Sequence, residues 1–475
     1  MSTAIVWFRQ DLRLADNPAL QAACEQCERI VPVFIDDPRD STVARIGAAS
    51  RVWLHHSLVS LDTSLEQAGS ALICRQGDPL ENLEALIDEC GATRIFWNRC
   101  QDPVTIARDK LIKASLAALE PKTFNALLIH EPWTVLKKDG TPYKVYTPYW
   151  RVASAAYDGD RDRHQPLPVP ASIPSDAACR KLRGASDIEG LGLLPDKSWP
   201  ASMMSHWSVG EKAATTQLEH FLGEHVEHYA EGRNLPAESA TSRLSPYLHH
   251  GEISPRQILA RLTRGGELAA LGDDETVYAK EVFWREFGYS LLYHFPDMPT
   301  EPLDRRFSNF PWKKGQKALQ AWQQGRTGVP IVDAGMRELY ATGWMHNRVR
   351  MIVASYLVKN LLLHWRQGEA WFRDCLVDAD VASNVMGWQW TAGCGADAAP
   401  FFRVFNPVLQ GERFDRQGAY VRQWVPELAD VDDRHVHQPW SLPAAARAAL
   451  DYPEPLVDLK ISRQQALDAF AEIRG

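Results

Sequence analysis

Over residues 1–130, short apolar runs alternate with amphipathic segments, and this alternation limits the possible folds more than any other feature of the chain. The runs AIVWF (4–8), RIVPVFI (29–35), SALICRQ (70–76), TRIFWN (93–98) and NALLIH (125–130) read as strands buried on both faces. Between them, AASRVWLHHSLVSLDTSLEQAG and PLENLEALIDECG carry helical periodicity. Asn17 ahead of Pro18 reads as an N-cap followed by proline at the first helical position. Strand and helix in turn specify a parallel sheet covered by helices on both faces, a doubly wound α/β domain. GxGxxG does not follow the first run, which argues against a dinucleotide dehydrogenase.

From about residue 155 the character changes. The stretch DGDRDRHQPLPVPASIPSDAACRKLRGASDIEGLGLLPDKSWP is rich in proline, charge and small residues, and reads as a connector laid over the surface. Beyond it nearly every segment has a helical pattern, HNRVRMIVASYLVKNLLLHW among the longest. The expected organisation is an α/β domain over 1–135, a linker over 136–205 and a helical domain over 206–475.

Bulk properties exclude several classes. A net charge of −8 announces no polyanion partner, but charge is unevenly distributed. Arg305, Arg306, Lys313, Lys314, Lys317 and Arg326 face only Asp304, and a second basic cluster runs from Arg337 to Arg373. Basic residues interleaved with aromatics suit a polyanion site, although a solvated helix face explains the same pattern. The eight cysteines lack a disulfide-framework spacing, and Cys24 and Cys27 form a lone CxxC, so no metal is expected. MSTAIVWFRQDLRL is not a signal peptide, and no apolar run approaches the roughly 20 residues of a membrane span. A cytoplasmic protein without a membrane partner is expected.

Seventeen tryptophans is the abnormal count. Two of them, Trp388 and Trp390, stand in SNVMGWQWT, where core packing and the wall of a site for a flat ligand fit equally well. In GWMHNRVRM, Asn347 and Met351 share a helical face, as do His346 and Arg350. In YAKEVFWREF, Glu281 lies one turn before Trp284 and Arg285, where it can meet a base edge or form an ion pair with Arg285. Thr241, Ser242, Arg243 and Ser245 in TSRLSPYL offer hydroxyls and amides to a phosphate at a helix start.

Together, VWFRQDLRLADNPAL, TSRLSPYL, EVFWREF, GWMHNRVRM and DADVASNVMGWQWTAGCGADAAPFFRVFNPVLQGERFD resemble the photolyase/cryptochrome flavoprotein family over almost the whole chain. Within it, the match is to the class I cyclobutane pyrimidine dimer photolyases. The resemblance implies blue-light repair of UV-damaged DNA by reduced FAD, which passes an electron to a pyrimidine dimer flipped out of the duplex and recovers it afterwards. FAD would be held by Tyr229, Thr241, Ser242, Arg243, Leu244, Ser245, Arg285, Arg350, Asp378 and Asp380, with Arg350 paired to Asp378. Asn384 would face flavin N5. Glu281 would hydrogen-bond the dimer between Trp284 and Trp390, with Asn347 and Met351 completing the pocket. Arg233, Arg348 and Arg403 would grip flanking phosphates without reading sequence. Trp388, Trp365 and Trp312 match the family's chain of electron-relay tryptophans.

The resemblance also separates neighbours. The (6-4) photolyases carry histidines where this chain has Asn347 and Met351. A cryptochrome-type blue-light receptor that binds FAD without repair is the alternative. Thr105 and Ile106 stand where folate-type relatives carry an Asn-Glu pair. That counts against methenyltetrahydrofolate as antenna chromophore, while QGDP (76–79) and FWNRCQDP (96–103) resemble the deazaflavin-binding branch, with Phe34, Asp37, Arg51 and Asp102 in the neighbourhood; an empty pocket or a flavin are the alternatives. A monomer is expected, because a lesion-probing face must stay open.

Overall fold

Thr3–Phe8 forms β1, and all six residues are buried. The other strands are β2 (Arg29–Asp36), β3 (Ile73–Gln76), β4 (Arg94–Asn98) and β5 (Lys122–Phe124), in a parallel sheet of order β3-β2-β1-β4-β5. The computed structural model describes residues 2–38, 45–175, 181–182, 187–196, 198–398 and 402–474, so Cys179 and parts of the connector lie outside the described residues. The chain forms two compact units, Met1–Glu227 with Ser242–Pro296 and His228–Thr241 with Asp297–Gly475.

The first unit is doubly wound because β1 alternates. Ala4, Val6 and Phe8 enter one core with Leu20 and Leu54, while Ile5 and Trp7 enter another with Leu83 and Ile112. The Pro18–Gln26 and Ala48–Gln67 helices thus cover one face, and the Pro79–Cys90 and Pro103–Ser115 helices the other. The Asn17 side chain accepts from Leu20 N–H, capping the first of these helices. At the switch point between β1 and β4, a self-contained polar network fills the strand ends. Arg9 binds Asp109 through Nη1 at 2.9 and 2.8 Å, and Asn98 Nδ2 donates to Asp11 and Asn17 at 2.6 and 2.7 Å.

The fifth strand corrects the sequence reading. NALLIH is not a strand; the strand is the preceding Lys122–Phe124. Asn125 Oδ1 accepts from Leu128 N–H, and Glu286 Oε2 accepts from the N–H groups of Ile129 and His130 at 2.9 and 3.2 Å. A carboxylate thus satisfies this buried backbone in place of a neighbouring strand. Glu286 lies on the Asp273–His294 helix of the same unit, against which the Tyr146–Gly159 helix packs.

The second unit is helical. The long helix expected from His346 to Trp365 divides into Asn347–Ser355, a π-helical stretch Tyr356–Asn360, and a break at Leu362 (φ 54°) before Trp365–Cys375. Leu361 N–H reaches Tyr356 O, closing the wider turn. Lys359 is thereby buried, with Nζ donating to Ala392 O at 2.7 Å and lying 3.0 Å from the centre of the Phe402 ring.

Candidate functional site

In the first unit, one helix carries Glu281, Trp284 and Arg285. The half-buried Trp284 ring lies parallel to Tyr146, with centroids 3.7 Å apart and 13° between planes. Arg285 donates to Leu127 O at 2.7 Å, lies 3.9 Å from Glu286 Oε1 and sits over the Tyr289 ring. Its Nε and Nη2 are buried without hydrogen-bond partners among the described residues, a donor pair suited to an anion. Burial pushes the Glu286 carboxyl up to about 7, opposed by Arg285 and the two amides it binds.

The TSRLS stretch leads into the short Ser245–His250 helix, with Leu244 in the capping position. Gln217 Nε2 donates to Ser242 O at 3.0 Å, and Arg243 has φ 49° with its guanidinium 4.2 Å from the Trp207 ring. A left-handed arginine is a strained residue held by its surroundings. Arg243, Trp207, Lys212 and Gln217 line a cavity of about 680 Å³.

At the ends of β2 and β3, residues expected near a deazaflavin are engaged within the chain. Phe34 is part of the core with Leu191 and Leu193 of the connector. Arg51 lies 3.9 Å from Asp36 and donates to Gly192 O, Gln76 donates to Leu191 O, and Asp102 caps the Pro103–Ser115 helix. The connector turn thus hydrogen-bonds Arg51 and Gln76 and packs on Phe34.

In the second unit, His346 caps the Asn347–Ser355 helix, its Nδ1 accepting from Arg348 N–H at 3.2 Å. Glu338 Oε2 holds the same loop, accepting from His346 N–H and from Tyr420 Oη–H at 2.6 Å. Burial, then Arg348, Arg350 and Arg233, push the His346 imidazole down to about 3, so it is neutral. Asn347 is exposed at the helix start, and Met351 Sδ lies 3.8 Å from Arg348 Nη1. Arg348 also donates to Asn234 and covers the Phe414 ring; burial lowers it, followed by Arg233 and Arg413. Arg233 itself lies over the Tyr229 ring.

Arg350 and Asp378 form a bidentate pair at 3.1 and 2.8 Å, and Arg350 Nε donates to Met345 O. Asp380 caps the Val381–Ala392 helix through Ser383 N–H. One turn on, Asn384 Nδ2 donates to Glu369 O and Oε1 at 3.1 and 3.0 Å, leaving its carbonyl oxygen to present elsewhere. Trp388 is buried edge-on to Phe372 and Trp322, and an alanine Cβ at Gly368 would lie 2.0 Å from Trp388 Cη2. Gln389, between the two tryptophans, donates to Met298 O and Glu301 O and accepts from Leu303 N–H, so it is a structural anchor. Trp390 and the exposed Arg403 line a cavity of about 230 Å³ with Arg306, Lys359, Phe402 and Arg474. Trp365 and Trp312 both touch His364, with centroids at 5.6 and 5.2 Å.

Sequence reasoning missed Tyr146, His364, Glu369 and Arg413. Each matters through a spatial neighbour, and only Glu369 and His364 stand within a turn or two of a singled-out residue. No helix among the described residues is long and apolar enough to cross a membrane.

Comparison with known proteins bears on the whole chain. Residues 4–171 match the family model described as DNA photolyase, and residues 278–472 that described as FAD binding domain of DNA photolyase. A deoxyribodipyrimidine photo-lyase of Agrobacterium fabrum is 45% identical over 99% of this chain and 98% of its own length. Cryptochrome-1 of Arabidopsis thaliana is 35% identical, over 99% of this chain and 70% of that protein. The crystal structure of a class III photolyase from Agrobacterium tumefaciens superposes with a TM-score of 0.92 at 44% identity, covering 100% of this chain and 98% of that one. With an α/β unit and a helical unit both matched, and identity well above 30% along the full length, this chain belongs to the photolyase/cryptochrome family.

Proposed function

We propose that this chain binds FAD and repairs cyclobutane pyrimidine dimers in DNA under blue light. The observation that carries the reading is a cluster of guanidinium groups: Arg348 and Arg413 both lie over the Phe414 ring, 4.4 and 5.0 Å from its centre, and Arg348 also binds Asn234, the neighbour of Arg233 in the chain. Three like charges held together in a partly buried place fit a polyanion, and phosphates flanking a lesion supply one without sequence reading. His346, neutral with an imidazole at about 3, offers no acid beside Asn347 and Met351, which favours the cyclobutane dimer over a lesion that needs proton transfer. The names of the relatives support the same substrate, and the similarity to a class III photolyase supports that class in place of class I.

When bound, reduced FAD would supply, on excitation, the electron that opens the cyclobutane ring. Arg285, with two donors unpartnered among the described residues, fits its phosphates, and Tyr229, Thr241, Ser242, Arg243, Leu244 and Ser245 are further proposed contacts. The Arg350–Asp378 pair and Asp380 fix the polar lining, and Asn384, oriented by Glu369, presents an acceptor that cannot ionise. In the first unit, Glu281 would hold a base edge while Trp284 stacks on a pyrimidine; in the second, Trp390 is a proposed stacking residue. Trp312, Trp365 and Trp388 would carry electrons inward from solvent. A deazaflavin antenna is no part of this proposal.

The test is anaerobic repair of an oligonucleotide with one thymine dimer by the photoreduced protein under blue light. Light-dependent recovery of thymines, weakened in Glu281→Ala, is expected. FAD binding without recovery would overturn the reading in favour of a cryptochrome-type receptor, which the 35% identity to Cryptochrome-1 supports.

A further inference from the structure

Trp284 does not stand alone. Tyr146 covers one of its faces at 3.7 Å, and the edge of Phe287 meets both rings at centroid distances of 5.7 Å. Tyr146 is 6% exposed, while Trp284 keeps part of its surface open. The Tyr146 hydroxyl donates to Lys280 O at 2.5 Å. That carbonyl is four residues before Trp284, hence the acceptor for the Trp284 amide within the helix. One tyrosine therefore holds both the ring of Trp284 and the turn that carries it. A tryptophan has two faces for a base, and this contact leaves one.

We propose that Tyr146 is a positioning residue for the lesion: it backs Trp284 so that a pyrimidine can stack only on the opposite ring face, completing a three-layer stack of Tyr146, Trp284 and base. The inference rests on the repair reading and adds to it the residue that selects the stacking face. The hydroxyl sets the ring's tilt, and Phe287 closes the side through which the indole could rotate. Because the stack is built before the ligand arrives, the entropic cost of ordering Trp284 is not borne at binding.

The experiment is a double-mutant cycle in the dark, measuring affinity for duplex with and without a thymine dimer by fluorescence anisotropy. Tyr146→Leu is expected to weaken dimer binding roughly ten-fold, within the range for one base–aromatic stack, while undamaged duplex binds as before. Tyr146→Phe, which keeps the ring, should stay within about three-fold of wild type, the worth of one hydrogen bond. In a Trp284→Leu background, Tyr146→Leu should cost little more, because the two act through one stack. Near-ultraviolet circular dichroism of the unliganded variants reports loss of the Tyr–Trp stack independently of DNA. A folded Tyr146→Leu protein that has lost this signal yet binds dimer DNA like wild type would overturn the proposal. So would full additivity with Trp284→Leu. A wild-type protein with no preference for dimer DNA would instead overturn the repair reading, and this inference with it.

Discussion

Gly368 decides where Trp388 sits, and replacing it tests both packing and electron relay. A Cβ at this position would lie 2.0, 2.4 and 2.6 Å from Trp388 Cη2, Cζ3 and Cζ2. Carbon atoms rest about 3.5 Å apart or more, so the indole must retreat by roughly 1.5 Å. It has little room to do so, since Phe372 and Trp322 meet it edge-on at 5.0 and 6.1 Å. Glycine to alanine within a helix ordinarily stabilises by about 0.5–1 kcal/mol, whereas overpacking costs about 1–3 kcal/mol. Gly387 provides the control: it lies inside the Val381–Ala392 helix and a Cβ there meets nothing within 4 Å. The helix-propensity gain is common to both variants, so the stability difference between Gly387→Ala and Gly368→Ala isolates the clash, expected at about 1–3 kcal/mol. Urea unfolding of the FAD-loaded proteins measures it. Light-driven reduction of the same samples should slow in Gly368→Ala alone. Equal urea midpoints with equal photoreduction rates would refute the placement of Trp388 and its proposed relay role together.

Other predictions follow from single contacts. Glu286 titrates near 7 when folded against an ordinary 4.5, so the native state binds the extra proton between those values and stability falls as pH rises from about 4.5 to 7. Glu286→Gln, which still accepts from Ile129 and His130, should flatten that dependence in urea titrations across this window; an unchanged slope would count against it. Glu369→Ala removes one of two acceptors from the Asn384 amide, at about 0.5–1.5 kcal/mol for one hydrogen bond. Faster air oxidation of the reduced, FAD-loaded variant is expected, and an unaltered rate would mean that Glu369 does not orient Asn384. Finally, apoprotein offered a deazaflavin should show neither its bound absorption band nor energy transfer to FAD; stoichiometric binding would show that the connector turn yields its place.

What was legible in the sequence were features carried by neighbours along the chain. Four strands and their order of helices follow from apolar runs, because a strand buried on both faces has to be apolar throughout. NALLIH satisfies the same criterion and is equally buried, yet its backbone pairs with the carboxylate of Glu286, which no local pattern can announce. The helix from His346 failed likewise: its periodicity continues past Ser355, but a π turn shifts the register and buries Lys359 against Phe402. Trp388 and Gln389 show the limit within one motif. Adjacent in sequence, one is seated by the missing side chain of Gly368 and the other by three bonds to the 298–303 loop. Motif matching could nominate Trp284 from its own helix, but the residue that orients its ring, Tyr146, belongs to a helix placed inside the expected linker. Side chains nominated by motif therefore depend on partners that motif does not contain, and the variants that separate readings of this chain are those of the partners: Gly368, Glu369 and Tyr146.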